Sequence, residues 1–169
     1  HYLSTTEKNK DNVLLVERLD RRGNGKMKFT DIAILDDSKT EIAVSQTGQP
    51  LIIKISYIAS EDVINKNAVV LLKFTNQEGS IMFACLTRSS FKEMLKLSKT
   101  GTIECCIPKL PLLPGRYSIN IWCKLNEELA DEVDDAFILD VIGGDFFGTG
   151  KVHPDNRSGL LVDHAWHIG

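Results

Sequence analysis

Residues 116–125 alternate strictly between polar and apolar side chains, and this alternation is the strongest structural signal in the sequence. The apolar positions of this segment are Tyr117, Ile119, Ile121, Cys123 and Leu125. Because successive side chains of a β-strand point to opposite faces of the sheet, a period of two places all of them on one face. The segment is therefore predicted to be a half-buried strand whose apolar face needs a second layer of structure to cover it.

Other short runs rich in β-branched and aromatic residues have the same character, and turn residues separate them. The runs are 26–35, 51–59, 68–75, 80–86, 102–107 and 136–141. Turn signals about every 8–12 residues, with almost no long helical spacing, are typical of an antiparallel β-sandwich. Residues 89–97, in which Phe91 is the first apolar position, are predicted to form one or two helical turns. The acidic stretch 126–134 is predicted to be a loop.

Residues 68–75 and 80–86 are predicted to form a hairpin around a turn at 76–79, where Asn and Gly suit a four-residue loop. Pairing Thr75 with Ser80 sets Phe74 opposite Ile81 and makes one face of the hairpin wholly apolar. A shift of one residue would mix apolar and polar positions on both faces, so this register is expected.

The composition is that of an ordinary globular protein, and it excludes several functional classes. A chain of 169 residues is long enough for one domain with a sizeable core. The formal net charge of −3 gives no electrostatic support for binding nucleic acid. No apolar run approaches the roughly 20 residues that a membrane-spanning helix needs, and the N-terminus has no apolar signal-peptide core.

The four cysteines are Cys85, Cys105, Cys106 and Cys123. None has C-x-x-C spacing, and the adjacent pair is not a usual zinc or disulfide arrangement. We therefore expect free thiols that pack as small apolar residues, which favours a reducing compartment.

No motif in the chain has the spacing of a catalytic, nucleotide-binding or metal site. The glycine-rich segment 144–151 departs from a phosphate-binding loop, because Asp145 and Val152 stand where that loop needs a glycine and a hydroxyl residue. On a strand, His164 and His167 would point to opposite faces and make a poor metal clamp. We therefore predict no catalytic residue, no metal ligand and no cofactor.

Trp122 is the most informative polar-face residue, because the alternation of 116–125 points its side chain away from the core. The same outward face holds Ser118, Asn120 and Lys124. An aromatic ring beside hydroxyl, amide and ammonium groups suits a sugar, which presents apolar C–H faces and rings of hydroxyls. Packing of Trp122 under the helical segment near Phe91, or in a subunit contact, is the alternative and fits the composition equally well.

Two C-terminal segments resemble a known family. Residues 144–151 (GDFFGTGK) and 159–166 (GLLVDHAW) are similar to the C-terminal signature of the Wzt-type ATPase subunits of O-antigen ABC transporters. The proline-rich run 107–117 and the strand 137–141 also fit the carbohydrate-binding domain of that family. The resemblance covers residues 27–169.

The resemblance implies an immunoglobulin-like β-sandwich over residues 27–142, attached to an ATPase portion that would precede His1. Residues 1–26 would be a linker or leader. Residues 143–169 would hold a loop and a C-terminal strand that is exchanged between the protomers of a homodimer. The implied role is non-catalytic recognition of an undecaprenyl-diphosphate-linked O-polysaccharide. The domain would be cytoplasmic and peripheral to the inner membrane, reaching the transporter's transmembrane subunit through the ATPase portion.

Placing 68–75 beside 116–125 in one sheet gathers the predicted carbohydrate-binding residues on its outer face. These residues are Trp122, Asn120, Ser118, Lys124, Lys73 and Thr75. The predicted dimer strand contains Leu160, Leu161, Val162, Asp163, His164 and Trp166. A dimerisation scaffold that binds no glycan itself is the alternative function.

Overall fold

Two β-sheets face each other across one apolar core. The structure is a computed structural model and describes residues 14–90, 94–152 and 159–168. The strands within these residues are β1 (Arg21–Arg22), β2 (Met27–Leu35), β3 (Ser45–Gln46), β4 (Leu51–Ala59), β5 (Asn67–Thr75), β6 (Ile81–Leu86), β7 (Leu95–Lys96), β8 (Thr100–Ile107), β9 (Gly115–Leu125) and β10 (Glu128–Ile142). Short helical turns occupy Leu15–Glu17, Glu61–Val63 and Thr87–Ser90.

The larger sheet has the strand order β1-β10-β9-β5-β6, with β3 beside β10 and β7 beside β5. The smaller sheet has the order β2-β4-β8. All pairs are antiparallel except β3 with β10, which run parallel. Hairpin neighbours in one sheet and a separate three-stranded layer are the arrangement of an immunoglobulin-like sandwich. The predicted antiparallel β-sandwich is confirmed.

The alternating strand is β9, and its predicted inward face is buried. Tyr117, Ile119, Ile121, Cys123 and Leu125 are all at most 4% exposed. Burial of each large apolar side chain stabilises the fold by about 1.5–3 kcal/mol. The Tyr117 hydroxyl also donates to the carbonyl of Leu113, 2.6 Å away and four residues upstream. A tyrosine held in this way at the start of a strand is a recurrent corner of immunoglobulin-like sandwiches.

The β5–β6 hairpin is paired two residues away from the predicted register, which was wrong. Phe74 lies opposite Phe83 and Thr75 opposite Ile81, with a bulge between the two pairs. The cause is the turn, in which the Asn76 side chain accepts hydrogen bonds from two backbone amides and keeps Ser80 out of the strand. Because most of the hairpin is shifted by an even number of residues, the side chains of β5 and β6 remain on the faces of the sheet that were predicted for them.

The acidic stretch predicted as a loop is instead the first half of β10, which pairs with β9 along most of its length. Asn126 and Glu127 form the connecting turn with φ of 48° and 71°, as a two-residue hairpin turn with a primed geometry requires. Ala130 and Val133 are fully buried, and the acidic side chains among them have basic partners from β1. The acidic residues therefore lie on a strand, and their charges do not prevent the strand from forming.

Residues 14–26, predicted as linker, pack on the sandwich in this structure. Leu15 is 2% exposed within the core, and β1 pairs with β10. Arg21 donates to the buried Asp131 carboxylate at 3.3 Å and to the Leu15 carbonyl at 2.6 Å. Residues 1–13 of the predicted linker, and Phe91 of the predicted helix, lie outside the described residues. The described ends of that predicted helix form a helical turn at Thr87–Ser90 and the strand β7.

The C-terminal residues that were predicted to form a strand run along the β8–β9 connection as irregular chain. Leu160 makes a single bridge with Leu112, and the Leu161 amide donates to the Pro111 carbonyl at 2.7 Å. No strand includes residues 159–168 in the chain as described here.

Candidate functional site

The predicted binding residues come together on adjacent strands of the larger sheet. Strand β5 pairs with β9, so that Lys73 lies opposite Asn120 and Thr75 opposite Ser118. Trp122 lies opposite Leu71 on the same register. Since paired residues share a face, all of these side chains lie on the side of the sheet that faces away from the core, here called the outer face.

Trp122 is half-buried at the middle of this outer face. The Lys124 ammonium lies 4.9 Å from the centre of the indole ring, two residues along the same strand. On the other side, β10 places Glu132 directly opposite Trp122. A cation over an indole at this distance contributes about 0.5–1 kcal/mol at an exposed site and holds the ring in place.

Glu132 extends the face through an ion pair with β1. The Arg22 guanidinium contacts Glu132 at 3.0 Å and Asp134 at 3.0 Å. Hydrogen bonds to these two carboxylates raise the pKa of Arg22 above its ordinary value, and the bond to Glu132 has the larger effect. Trp122 thus has a cation over its ring and a carboxylate residue at the paired position of β10.

Ser118, Thr75 and Asn120 form a hydrogen-bonded network with Asp135, a residue of the irregular part of β10. The Ser118 hydroxyl donates to the Asp135 carboxylate at 2.5 Å, and the Asp135 amide donates to the Asn120 side-chain oxygen at 2.7 Å. The Asn120 amide also reaches the Thr75 hydroxyl at 3.4 Å. These contacts support the register shift between Val133 and Phe137, where Asp135 has φ of 49°.

Exposure separates the six predicted residues into two groups. Ser118 is only 9% exposed and Thr75 only 7%, so that a ligand has little access to either hydroxyl. Asn120, Trp122, Lys124 and Lys73 are more exposed. No salt bridge involves Lys73 among the residues that the structure describes. The accessible part of the face is therefore Trp122 with its charged and amide neighbours.

Sequence reasoning missed Glu132, Arg22 and Asp135 as members of this face. The sequence predicts a loop for the acidic stretch and a linker for the residues of β1. Neither prediction places these residues beside β9. The alternation of Ala130 and Val133 with charged residues was a weak signal for a strand. Pairing that strand with β9 would have placed Glu132 beside Trp122.

A second exposed surface lies at the C-terminal segment. Edge-to-face contacts join Phe146, Phe147, His164 and Trp166 in series, with centroid distances of 4.9, 5.1 and 5.7 Å. Trp166 is 84% exposed and Val162 68% exposed, whereas Leu161 is buried against Phe146. This C-terminal aromatic surface contains the residues of the predicted dimer strand.

The glycine-rich loop beside this surface is closed by its own carboxylate. Asp145 accepts hydrogen bonds from the backbone amides of Gly148, Thr149 and Gly150 at 2.8, 3.2 and 2.7 Å. Amides of this kind bind phosphate in nucleotide-binding loops. Here they are occupied by Asp145, which explains why a glycine-rich segment that ends in Lys151 need not bind an anion.

Within the described ranges 14–90, 94–152 and 159–168, no group of three His, Cys, Asp or Glu side chains is arranged to hold a metal ion. No helix there combines the length and apolarity that crossing a bilayer requires.

The chain is similar to solved structures at low sequence identity. A crystal structure of the C-terminal domain of wzt matches with a TM-score of 0.72 and 14% identity, covering 94% of this chain and 98% of that chain. This likeness shows the fold. A Niemann-Pick type C2 protein from Japanese carpenter ant matches with a TM-score of 0.47 and 16% identity, covering 72% of this chain and 98% of that chain. No curated protein matches the sequence.

The family model for the Wzt C-terminal domain matches residues 18–154. This range contains both sheets, from β1 to β10, and therefore the whole outer face around Trp122. It also begins before residue 27, in agreement with the packing of β1 on the sandwich. The chain belongs to the Wzt C-terminal domain family.

Proposed function

We propose that this chain is a non-catalytic carbohydrate-binding domain that recognises lipid-linked O-polysaccharide for export by an ABC transporter. Membership of the Wzt C-terminal domain family supports the transporter context. The observation that carries the binding proposal is Trp122, an accessible indole on the outer face of a sheet between Lys124 and Glu132.

Trp122 offers a flat apolar surface that is already held in position. Lys124 lies over the ring, and the ion pair with Arg22 holds the Glu132 side chain. Less conformational freedom is therefore lost when a ligand binds. The C–H face of a sugar ring would lie on the indole, where it would be removed from water. Stacking of this kind needs no charge on the ligand.

Groups around the ring are suited to hydroxyls. Glu132 accepts hydrogen bonds, Lys124 and Lys73 donate them, and Asn120 has a second amide hydrogen beyond the one directed at Thr75. Because cations and carboxylates alternate across the face, it presents no extended field of one sign. Such a surface favours a neutral, hydroxyl-rich polymer over a polyanion.

The proposal is tested by calorimetric titration of the purified domain with the polysaccharide of the source organism and with an unrelated polysaccharide. We expect Trp122→Ala to weaken binding of the cognate polymer about tenfold or more, which corresponds to about 1.4 kcal/mol. Trp122→Phe should retain part of the affinity because it keeps an aromatic surface. Ile58→Ala is the control, since Ile58 is an apolar residue of β4 that is 49% exposed and lies in the other sheet.

Intrinsic fluorescence gives a second measurement, because the chain has only two tryptophans. In a Trp166→Phe variant, emission reports on Trp122 alone, and it should shift or be quenched when the cognate polysaccharide binds. A folded Trp122→Ala variant with unchanged affinity would remove Trp122 from the site. Wild-type protein that binds no polysaccharide would leave dimerisation as the function of the domain.

A homodimer formed through the C-terminal segment is the second part of the proposal. The specific observation that favours it is the exposure of large apolar side chains that follow one another along the segment. These are Leu160, Val162, Trp166 and Ile168, each at least 41% exposed. Exposed apolar surface of this extent is typical of an interaction site.

In the proposed transporter, the domain would act in the cytoplasm, at the inner membrane, through the ATPase portion and the transmembrane subunit.

A further inference from the structure

Cys85 and Cys105 face each other across the open side of the sandwich. Cys85 lies on β6, at one end of the strand order of the larger sheet, opposite the core residue Leu72. Cys105 lies on β8, at one end of the smaller sheet, opposite the core residue Ile53. Both thiols therefore point inward. Both are half-buried and pack against the apolar core.

A cavity of about 400 Å³ separates the two sheets at this side, and both thiols line it. Its other walls are mostly apolar and come from β4 to β8 and the helical turn at Thr87–Ser90, with Glu104 as the charged residue of the lining. In the part of the chain that the structure describes, no strand pairing connects β6 with β8.

We propose that Cys85 and Cys105 are an oxidative modification site, at which a peroxide joins the thiols in a disulfide that links β6 to β8. The Cys85 thiolate attacks one oxygen of hydrogen peroxide, the O–O bond breaks, and hydroxide leaves and is protonated to water. Cys85 is then a sulfenic acid. The Cys105 sulfur attacks the sulfur of Cys85, and the sulfenic hydroxyl departs with the Cys105 proton as a second water. Two thiols lose two electrons, and one peroxide becomes two waters.

The environment assigns the two roles. The Cys105 thiol donates a hydrogen bond to the Cys85 sulfur, which lowers the pKa of Cys85 to about 7. The same hydrogen bond, with burial, raises the pKa of Cys105 above its ordinary value. Cys85 is therefore the attacking thiolate and Cys105 the resolving thiol. We expect the rate of disulfide formation to increase as the pH rises through about 7.

The remaining cysteines are internal controls. Cys106 is exposed, and its place next to Cys105 on β8 turns its side chain away from the sandwich interior. Cys123 is fully buried in the core, and desolvation raises its pKa to about 12, so it is protonated and inaccessible. Cys106 also borders the cavity, at its exposed side, so the Cys106→Ala variant is needed to distinguish it from Cys105.

The experiment treats the purified, reduced domain with hydrogen peroxide and counts free thiols by maleimide labelling after denaturation. We expect wild-type protein to lose two of its four thiols and about 2 Da in mass, with reversal by dithiothreitol. Trypsin leaves Cys85 on the peptide 74–88 and Cys105 with Cys106 on the peptide 100–109. Cys106→Ala should keep the crosslink between these peptides, whereas Cys85→Ala and Cys105→Ala should each abolish it.

Thermal unfolding supplies a readout of the link itself. Closing the loop 85–105 with a disulfide should raise the Tm of the oxidised domain by on the order of 5–10 °C in wild type and in Cys106→Ala. Three results would overturn the proposal: no loss of thiols, a crosslink that disappears in Cys106→Ala, or covalent dimers as the sole product. None of these measurements depends on polysaccharide binding.

Discussion

Tyr117 shows how one hydroxyl connects three parts of this fold. It donates to the Leu113 carbonyl at 2.6 Å and accepts from the Gly159 amide at 3.4 Å, so it fixes the loop before β9 and the start of the C-terminal segment. The alternation of β9 predicted that its ring is buried. The partners of the hydroxyl could not be predicted, because Gly159 is remote in sequence and approaches Tyr117 only in the folded chain.

Replacing Tyr117 with Phe is expected to reduce the free energy of unfolding by about 1–3 kcal/mol, because it leaves a buried carbonyl without its donor. Urea denaturation measures this loss. Tyr57→Phe is the matched control, since the Tyr57 hydroxyl accepts from the amide of Ser98 at 3.0 Å, and water can replace it at that exposed residue. Equal losses for the two variants would contradict the role assigned to the Tyr117 corner.

At the scale of the element, β10 determines the shape of the outer face. Its first half brings Glu132 to Trp122, and its irregular middle places Asp135 within reach of Ser118 and Asn120. Bulged strands bend and redirect side chains, and they often occur beside functional surfaces. Ser118 and Asn120 thus stabilise the irregular part of β10 through their hydrogen bonds with Asp135, independently of any contact with a ligand.

Ser118→Ala separates these two tasks. We expect a loss of about 0.5–1.5 kcal/mol in the free energy of unfolding, because the Asp135 carboxylate loses a hydrogen bond. Polysaccharide affinity should fall much less than in Trp122→Ala, since Ser118 is 9% exposed. Chemical denaturation and calorimetric titration measure the two effects. A large loss of affinity in a variant of normal stability would make Ser118 a direct ligand contact, as the alternation alone predicted.

At the scale of the whole molecule, the chain carries two accessible aromatic surfaces. One is the outer face around Trp122, which is surrounded by charged and polar groups. The other is the C-terminal aromatic surface, where Phe147, His164 and Trp166 are in contact and Val162 is 68% exposed. The first has polar groups suited to sugar hydroxyls, and the second has the larger exposed apolar content, which suits a second copy of the chain.

Val162→Asp is expected to shift the protein from dimer to monomer, because the substitution places a charge in the proposed apolar interface. Light scattering coupled to size exclusion measures the mass. Leu19→Asp is the control, since Leu19 is 93% exposed and lies outside the C-terminal segment. A monomeric wild-type protein, or a dimer unaffected by Val162→Asp, would reject this interface. A monomeric variant that still binds polysaccharide would show that recognition does not require the dimer.

Long-range pairing explains which parts of the face could be predicted. The alternation in β9 correctly predicted which of its side chains are buried, because the period of a strand is a local property. The predicted neighbourhood of Lys73 and Asn120 is confirmed by the β5–β9 register. The β5–β6 register was wrong, because Asn76 extends the turn through hydrogen bonds that composition does not reveal.

By itself, the sequence determined the sandwich class, the buried face of β9 and the outward direction of Trp122, since each follows from alternation along one strand. Only the tertiary structure decided that the acidic stretch is a strand, that Glu132 pairs with Trp122, and that Cys85 and Cys105 line one cavity. The physical reason is that these contacts join residues from different strands or sheets. Such contacts depend on strand order, bulges and the closing of two layers around a shared core, which no local period encodes.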